Sequence, residues 1–280
     1  MSNNISFALA FLEQQPEEAA EVLELHSLDD VAKFFNEVPY KYAGPVLEKM
    51  LPRFAAKVCY RLDAKVCAGF LSQMKISLAT AILRHAKPEV RKKIMELLPE
   101  KTTIACKLLL NYAEDMVGAW MDTQVIQLPN DIDVAEARLR VQADELINMP
   151  DIMFVVDRQR NLCGVVRPYQ LVIENETASL VSCMSDVDAV LPSRASLMSI
   201  KKHEGWDTSD VLPVLDRNHK LIGTLRHVDM RKGLNQLSKT IKASQRSGAI
   251  SEIGNAYAKS LLALLNSASE IAHTKKTGGA

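Results

Sequence analysis

Between residues 17 and 110 the chain can run neither one long helix nor a set of strands. Prolines stand at 39, 52, 88 and 99, and a proline cannot extend a helix from inside, so each marks a helix boundary. The stretch breaks into pieces of roughly eleven to thirteen residues: EEAAEVLELH, SLDDVAKFFNEVP, YKYAGPVLEKMLP, RFAAKVCYRLD, AKVCAGFLSQMK, ISLATAILRHAKP, EVRKKIMELLPE and KTTIACKLLLN. Each holds a small or apolar pair, then Leu, Val or Phe, then a charged end. Within a piece the apolar residues follow i, i+3, i+4, i+7, as in Ala55, Val58, Cys59 and Leu62. That spacing predicts a short amphipathic helix. One such helix cannot bury its face alone, whereas stacked neighbours can, which is the logic of an α-solenoid. An irregular helical bundle is the alternative. Ser27, followed by Asp29 and Asp30, predicts a capped helix start.

Near Gln124 the period changes to alternating strand and helix. Val125–Leu128 reads as a short strand, Val134–Leu146 as a helix, Ile152–Val156 as a buried strand, DRQRN as a turn and Leu162–Val166 as the returning strand. The scheme then repeats. FVVDRQRNLCGVVR (154–167) and PVLDRNHKLIGTLR (213–226) share six identities at one offset of 59: Val155/Val214, Asp157/Asp216, Arg158/Arg217, Leu162/Leu221, Gly164/Gly223 and Arg167/Arg226. One constant offset across a hairpin indicates a duplication. Glycine is unfavourable inside a strand, so Gly164 and Gly223 predict a bulge or a close backbone approach.

The hairpin, an apolar residue, then Pro-Val-x-Asp-x-x-x-x-Leu-x-Gly, resembles the CBS module, which occurs in pairs. The preceding run, Tyr112-Ala113-Glu114-Asp115-Met116-Val117-Gly118-Ala119-Trp120-Met121, resembles the Tyr-Pro-Glu-Asp-Thr-Ala-Gly-x-Leu-Met linker of MgtE-type magnesium transporters. There the linker joins a superhelical N domain to a CBS pair. The resemblance covers about residues 13–236. It implies a multidomain α and α/β chain. An N-terminal right-handed α-superhelix of short helices would be followed by a tandem CBS pair and a C-terminal helix. The boundaries expected are a tail over 1–12, the helical domain over 13–122, the CBS pair over 123–236 (about 123–180 and 181–236) and a helical segment over 237–280.

Composition narrows the function. At about 150 residues per domain, 280 residues suggest two domains. With Lys+Arg 34 against Asp+Glu 34 the formal charge is zero, so no bulk electrostatic grip on nucleic acid or anionic membrane is expected. No stretch approaches the ~20 apolar residues a membrane span needs. The N-terminus lacks a basic segment ahead of its apolar patch, so no signal peptide is expected. Five scattered cysteines without a CxxC fit reduced thiols and a cytoplasmic location. Charge is uneven along the chain. Residues 111–190 carry 5 basic and 14 acidic side chains, and residues 191–280 carry 14 and 7. Either the two regions attract, within the molecule or across a dimer, or both are solvated faces. A homodimer through the CBS pair is expected.

The transporter family continues into a membrane domain, which is not expected here, so the chain resembles the Mg²⁺-sensing cytosolic part alone. In the family, acidic residues from the N domain, the CBS pair and a connecting helix face one another, and Mg²⁺ screens them. Mg²⁺ takes oxygen ligands, with one or two carboxylates and retained water. Lys57 stands where the family commonly has Glu, and Lys232 where another acid is usual. Arg231 to Arg246 holds five basic residues and no acid, so direct attraction of this basic helix to the acidic 111–190 region would replace a cation bridge. The metal candidates left are Glu114, Asp115, Asp186, Asp188 and Asp229, with helix caps and solvated loops as their alternative roles.

Adenine nucleotides, ATP or AMP, are the other usual CBS ligands. The family places Asp three residues after a Ser or Thr at the start of the closing helix. The first module reads Arg167-Pro168-Tyr169-Gln170, without the Asp, and the second reads Arg226-His227-Val228-Asp229, which keeps it. Nucleotide binding is therefore expected in the second half-site, lined by Asp229, Arg226, Thr208 and Asp210. No GxSxG, HExxH, P-loop or GxGxxG occurs and the six histidines are dispersed, so no enzyme is expected. Two functions remain: a ligand-sensing regulator, or an interaction adaptor without ligand, each acting on a protein partner or a membrane transporter. A helical stripe over Ile250–Ala272 would close the dimer, dock on a partner or pack on its own CBS face.

Overall fold

A computed structural model describes residues 9–143 and 151–245; the stripe expected over 250–272 and the first eight residues lie outside them. Of the described residues, 9–107 and 238–245 form one compact unit and 108–237 another.

The first unit is a stack of short helices. After a helical stretch over 9–14 come α1 (Pro16–Leu23), α2 (Leu28–Glu37), α3 (Tyr40–Lys49), α4 (Pro52–Arg61), α5 (Ala64–Gln73), α6 (Ile76–His85), α7 (Pro88–Leu97) and α8 (Glu100–Leu110). Their first residues fall every 12 positions, which turns the loose eleven to thirteen into a strict period. Pro16, Pro52 and Pro88 open helices, where a missing N–H costs nothing. Pro39 and Pro99 stand directly before Tyr40 and Glu100. Helices α2 to α7 are each ten residues, ~15 Å of rise. Each ends on an extended residue (Val38, Met50, Leu62, Met74, Ala86, Leu98) that leads into the next helix. Ser27 caps α2 as expected, its hydroxyl accepting from the Asp30 N–H at 3.2 Å.

The core follows the same period. The fourth, seventh and eighth residues of successive helices are buried: Val31, Phe34 and Phe35; Ala43, Val46 and Leu47; Ala55, Val58 and Cys59. Cys67, Phe70 and Leu71, then Ala79, Ile82 and Leu83, continue the series. The fifth position is small (Ala32, Gly44, Ala56, Ala68, Thr80), which lets backbones approach. Each helix packs against the one two further on, α1 on α3, α2 on α4, α4 on α6, α5 on α7. In α7 the small pair becomes Arg91-Lys92, and Ile94 is its fully buried residue. Gly44 is required by contact: a Cβ there would lie 2.6 Å from the Tyr40 ring. That ring packs 5.5 Å from Phe70, which meets Phe35 edge-on at 5.5 Å.

Polar contacts obey the repeat as well. Lys49–Glu17 (3.9 Å) and Arg61–Asp29 (2.6 Å) are both 32 residues apart. The Glu24 carboxylate accepts from the Leu51 N–H at 2.5 Å, and Lys87 lies 4.8 Å from the Tyr60 ring centre; both pairs are 27 apart. Burial pushes the Glu24 carboxyl above the usual range, against the Leu51 hydrogen bond. Cys59, Cys67 and Cys106 are buried free thiols. The neighbouring Cys67 thiol and burial hold the Cys59 thiol well above its ordinary range, as expected of cysteines used as small apolar residues.

The second unit is a duplication in three dimensions. Strand β1 (Gln127–Pro129) is followed by α9 (Val134–Ala143), β2 (Met153–Val156), β3 (Leu162–Val166), α10 (Pro168–Ile173) and α11 (Leu180–Cys183). Then come β4 (Leu191–Pro192), α12 (Gly205–Thr208), β5 (Val211–Leu215), β6 (Leu221–Arg226) and α13 (His227–Gln245). The sheets, β1-β2-β3 and β4-β5-β6, each pair one parallel and one antiparallel neighbour. Val155 faces Gly164 and Val214 faces Gly223, and the register slips just after both. Both anticipated features are present, the bulge and the close approach. A Cβ on Gly164 would lie 2.7 Å from Met184 Sδ, and one on Gly223 would lie 2.6 Å from the Asp122 carbonyl oxygen. The chain thus crosses each hairpin: Val165 bridges to Ser185 and Thr224 to Asp122.

The hairpin turns are Asx turns. Asp157 Oδ1 accepts from the N–H groups of Gln159 and Asn161, and Asp216 Oδ1 from those of Asn218 and Lys220. Arg160 (φ 66) and His219 (φ 58), also 59 apart, are the two left-handed residues among the described non-glycines. The repeats meet where Lys220 Nζ donates to Asn161 Oδ1 at 3.0 Å.

The end of α13 joins the first unit. Lys239 Nζ donates to Glu17 Oε1 at 2.9 Å and lies 3.9 Å from Glu21. Its Glu17 bond holds the lysine pKa up and the Glu17 carboxyl down. The basic segment was expected on the acidic 111–190 region; Lys239 instead meets the acids of α1, and Lys232 meets Asp229 of its own helix at 3.6 Å.

Candidate functional site

A cleft of about 140 Å³ opens in the second unit. Its floor and walls are apolar: Ile152, Phe154 and Val165 from the first repeat, Val211, Leu212 and Pro213 from the second. Arg167, at the end of β3, stands at its edge. The segment before β4 supplies Asp186 and Asp188, and the end of α12 supplies Thr208. That segment is fixed by the ladder between Ser185 and Val165, N–H to carbonyl in both directions at 2.9 and 2.8 Å. The crossing that makes Gly164 necessary therefore also aims the two carboxylates.

Among the expected residues, Asp186, Asp188 and Thr208 come together. The others do not join them at this cleft. Arg226 lies 3.7 Å from Asp151, and Asp229, with a side chain 14 % exposed, lies 3.6 Å from Lys232. Asp210 is exposed and lends its carbonyl to the His227 N–H at 2.9 Å. Glu114 and Asp115 sit in the turn after α8, where their carbonyls accept from Trp120 Nε1 and from the Leu197 N–H, both at 2.7 Å. No group of three or more His, Cys, Asp or Glu side chains able to hold a metal occurs among the described residues.

Three features were not anticipated. Arg167 faces the cleft although its module lacks the motif Asp. Gln170, which replaces that Asp, is fully occupied: Oε1 accepts from the Arg167 N–H at 2.7 Å and Nε2 donates to the Cys183 carbonyl at 2.8 Å. Trp206 stacks on His227 at 5.0 Å, its Nε1 donating to the Ile200 carbonyl. The identity of residue 170 was a usable signal, since a Gln can donate where an Asp cannot. Nothing local to the sequence announced Asp151 as the partner of Arg226.

Fold and site together define the class: a helical-repeat unit followed by a duplicated β-α unit that carries a small-ligand cleft. Residues 14–115 match the family model of the MgtE intracellular N domain. The chain combines an MgtE-type N-terminal domain with a tandem CBS-pair architecture, and both are non-catalytic regulatory modules. Among solved structures it is similar to the soluble part of a magnesium transporter at 18 % identity and a TM-score of 0.57, covering 84 % of this chain and 98 % of that one. It is also similar to the cytosolic domain of the Mg²⁺ channel MgtE in complex with ATP, at 19 % identity and a TM-score of 0.53, covering 76 % and 92 %. No curated protein matches it. No helix among the described residues is long and apolar enough to cross a membrane.

Proposed function

We propose that this chain is a cytoplasmic regulatory module that binds an adenine nucleotide in the cleft between its CBS repeats and signals that state to a protein partner, a membrane transporter among the candidates. In this reading the helical domain spans 13–122, the CBS pair 123–236 with its division near 180, and the C-terminal segment 237–280. The working form is a homodimer through the CBS pair.

One observation carries the reading. Arg167 stands beside an apolar slot with carboxylates at its rim. The slot suits a base, the guanidinium suits phosphate oxygens, and Asp186 or Asp188 suits ribose hydroxyls. Ligand pockets usually span roughly 300–1,000 Å³, so a cleft of about 140 Å³ takes the base and leaves the phosphates outside, at Arg167. The similar structure solved with ATP adds support. The half-site expected from the sequence, at Arg226 and Asp229, is the weaker candidate because both side chains face other partners. Mg²⁺ is a second reading, favoured by the pairing of Asp186 and Asp188 at the same rim, where an ion would keep most of its water. An adaptor without ligand is a third, favoured by the occupied side chain of Gln170.

The test is the melting temperature with ATP, AMP and Mg²⁺, using Ca²⁺ and salt as controls. A ligand at 100 times its Kd stabilises the native state by about 2.7 kcal/mol. The expected result is a selective, saturating rise with nucleotide that Arg167→Ala removes. A rise with Mg²⁺ alone, lost in Asp186→Asn, selects the second reading. No rise with any of them leaves the adaptor.

A further inference from the structure

The duplication leaves matching apolar side chains uncovered. Leu139 on α9 is 66 % exposed and Met198, 59 positions on, is 68 % exposed. Tyr169 at the start of α10 is 58 % exposed and Val228, again 59 positions on, is 52 % exposed. Val172 and Ile173 extend the first of these patches and are three-quarters exposed. In each repeat the two elements concerned lie side by side. Arg138 of α9 donates to the carbonyls of Leu171 and Glu174 at the end of α10, at 2.7 and 2.9 Å. The Leu197 side chain lies against α13 at Gly233. A single exposed Leu needs no explanation, but the same exposed positions in both copies of a duplication mark a surface meant to be covered.

Charge states what covers it. Residues 111–190 hold 5 basic and 14 acidic side chains, while 191–245 hold 10 and 5. Beside the first patch stand Glu174 and Glu176; beside the second stand Arg231, Lys232, Lys201 and Lys202. Two copies aligned repeat on like repeat would set acid against acid and base against base. Turned end for end, they set the acidic repeat of each against the basic repeat of the other, twice over, as a twofold contact requires.

Resting on the homodimer proposed above, we infer that two copies of this chain pair through this apolar face in antiparallel order, the first repeat of each against the second repeat of its partner. The alternative occupant is the chain's own segment 246–280, which carries Ile253, Leu261, Leu264 and Leu265.

The experiment weighs the full chain in solution by sedimentation equilibrium, where twice 31.1 kDa is expected. Ile173→Asp, at an exposed position that leaves folding intact, is expected to weaken the pair at least 100-fold while circular dichroism stays unchanged. Orientation is read by mixing Tyr169→Cys chains with Val228→Cys chains of different tag length under mild oxidation. The mixture is expected to cross-link and each variant alone is not. A single-chain mass overturns the inference. So does a dimer indifferent to Ile173→Asp, or efficient cross-linking of either variant with itself. A dimer that forms only after removal of 246–280 also overturns it and identifies that segment as the cover. Nucleotide-dependent melting of Ile173→Asp is measured alongside, so that failure of the ligand reading and failure of the pairing appear in separate observables.

Discussion

The two repeats of the second unit share their strands, their register slip, their Asx turn and their left-handed residue, yet differ in nearly everything that touches a ligand or a neighbouring helix. In the first, Gln170 braces the backbone ahead of β4, Arg167 faces the cleft, and Arg138 caps α10. In the second, Asp229 meets Lys232, Arg226 meets Asp151, and the counterpart of α9 is a run of turns over 197–202. The difference teaches that the duplication preserves what closes a hairpin and releases what lies on its surface. Backbone geometry in a bulge tolerates few side chains, whereas an exposed helix start tolerates many.

The glycines break this comparison most severely. Gly223→Ala pushes a methyl against the backbone oxygen of Asp122, and Gly164→Ala first meets the flexible end of Met184. Overpacking of this kind costs about 1–3 kcal/mol; urea unfolding is expected to place Gly223→Ala at the upper end and Gly164→Ala below it. Next comes Arg138→Ala, which uncaps α10 in the first repeat only. Leaving its partly buried carbonyls without donors costs roughly 1–3 kcal/mol, and hydrogen exchange should quicken over 168–174 while 227–233 stays protected.

The smallest effect is that of acid. Hydrogen bonds from Asn161 hold the Asp157 carboxyl below its usual range, and Arg158 does the same for Asp131. A carboxyl lowered in the folded state contributes its full stability above the unfolded pKa, about 3.9. It loses that contribution as pH falls through the lowered folded value. Val190 stands at the place in the second repeat that Asp131 holds in the first, so that ion pair has no second copy there. Melting between pH 7 and 3 is expected to show an acid limb that Asp157→Asn flattens.

Much of the fold was legible because its signals are local. The helix boundaries came from Pro39, Pro52, Pro88 and Pro99, the cap from Ser27, and the duplication from one constant offset. Leu162–Val166 was placed to the residue, and the bulge was expected from Gly164 and Gly223. The strict period of 12 was blurred because residue types vary at the joints, from Pro39 to Asp63 to Lys87, while only their extended backbone is constant. The site was less legible because it depends on distant segments. Lys239 finds Glu17 across 222 residues, and Arg226 finds Asp151 through a sheet. No spacing rule reports such partners.

The packing of each helix on the one two steps away has a consequence for how such a chain can grow. The first unit is two columns dealt alternately from one thread, odd-numbered helices to one and even-numbered helices to the other. Inserting one residue at a joint rotates every later helix by ~100° about its axis and turns its apolar row outward. Inserting twelve restores the row but moves every later helix into the other column, so Glu17 would no longer find Lys49. Only an insertion of 24 residues lengthens both columns and keeps every partner, so the natural unit of growth is a pair of helices.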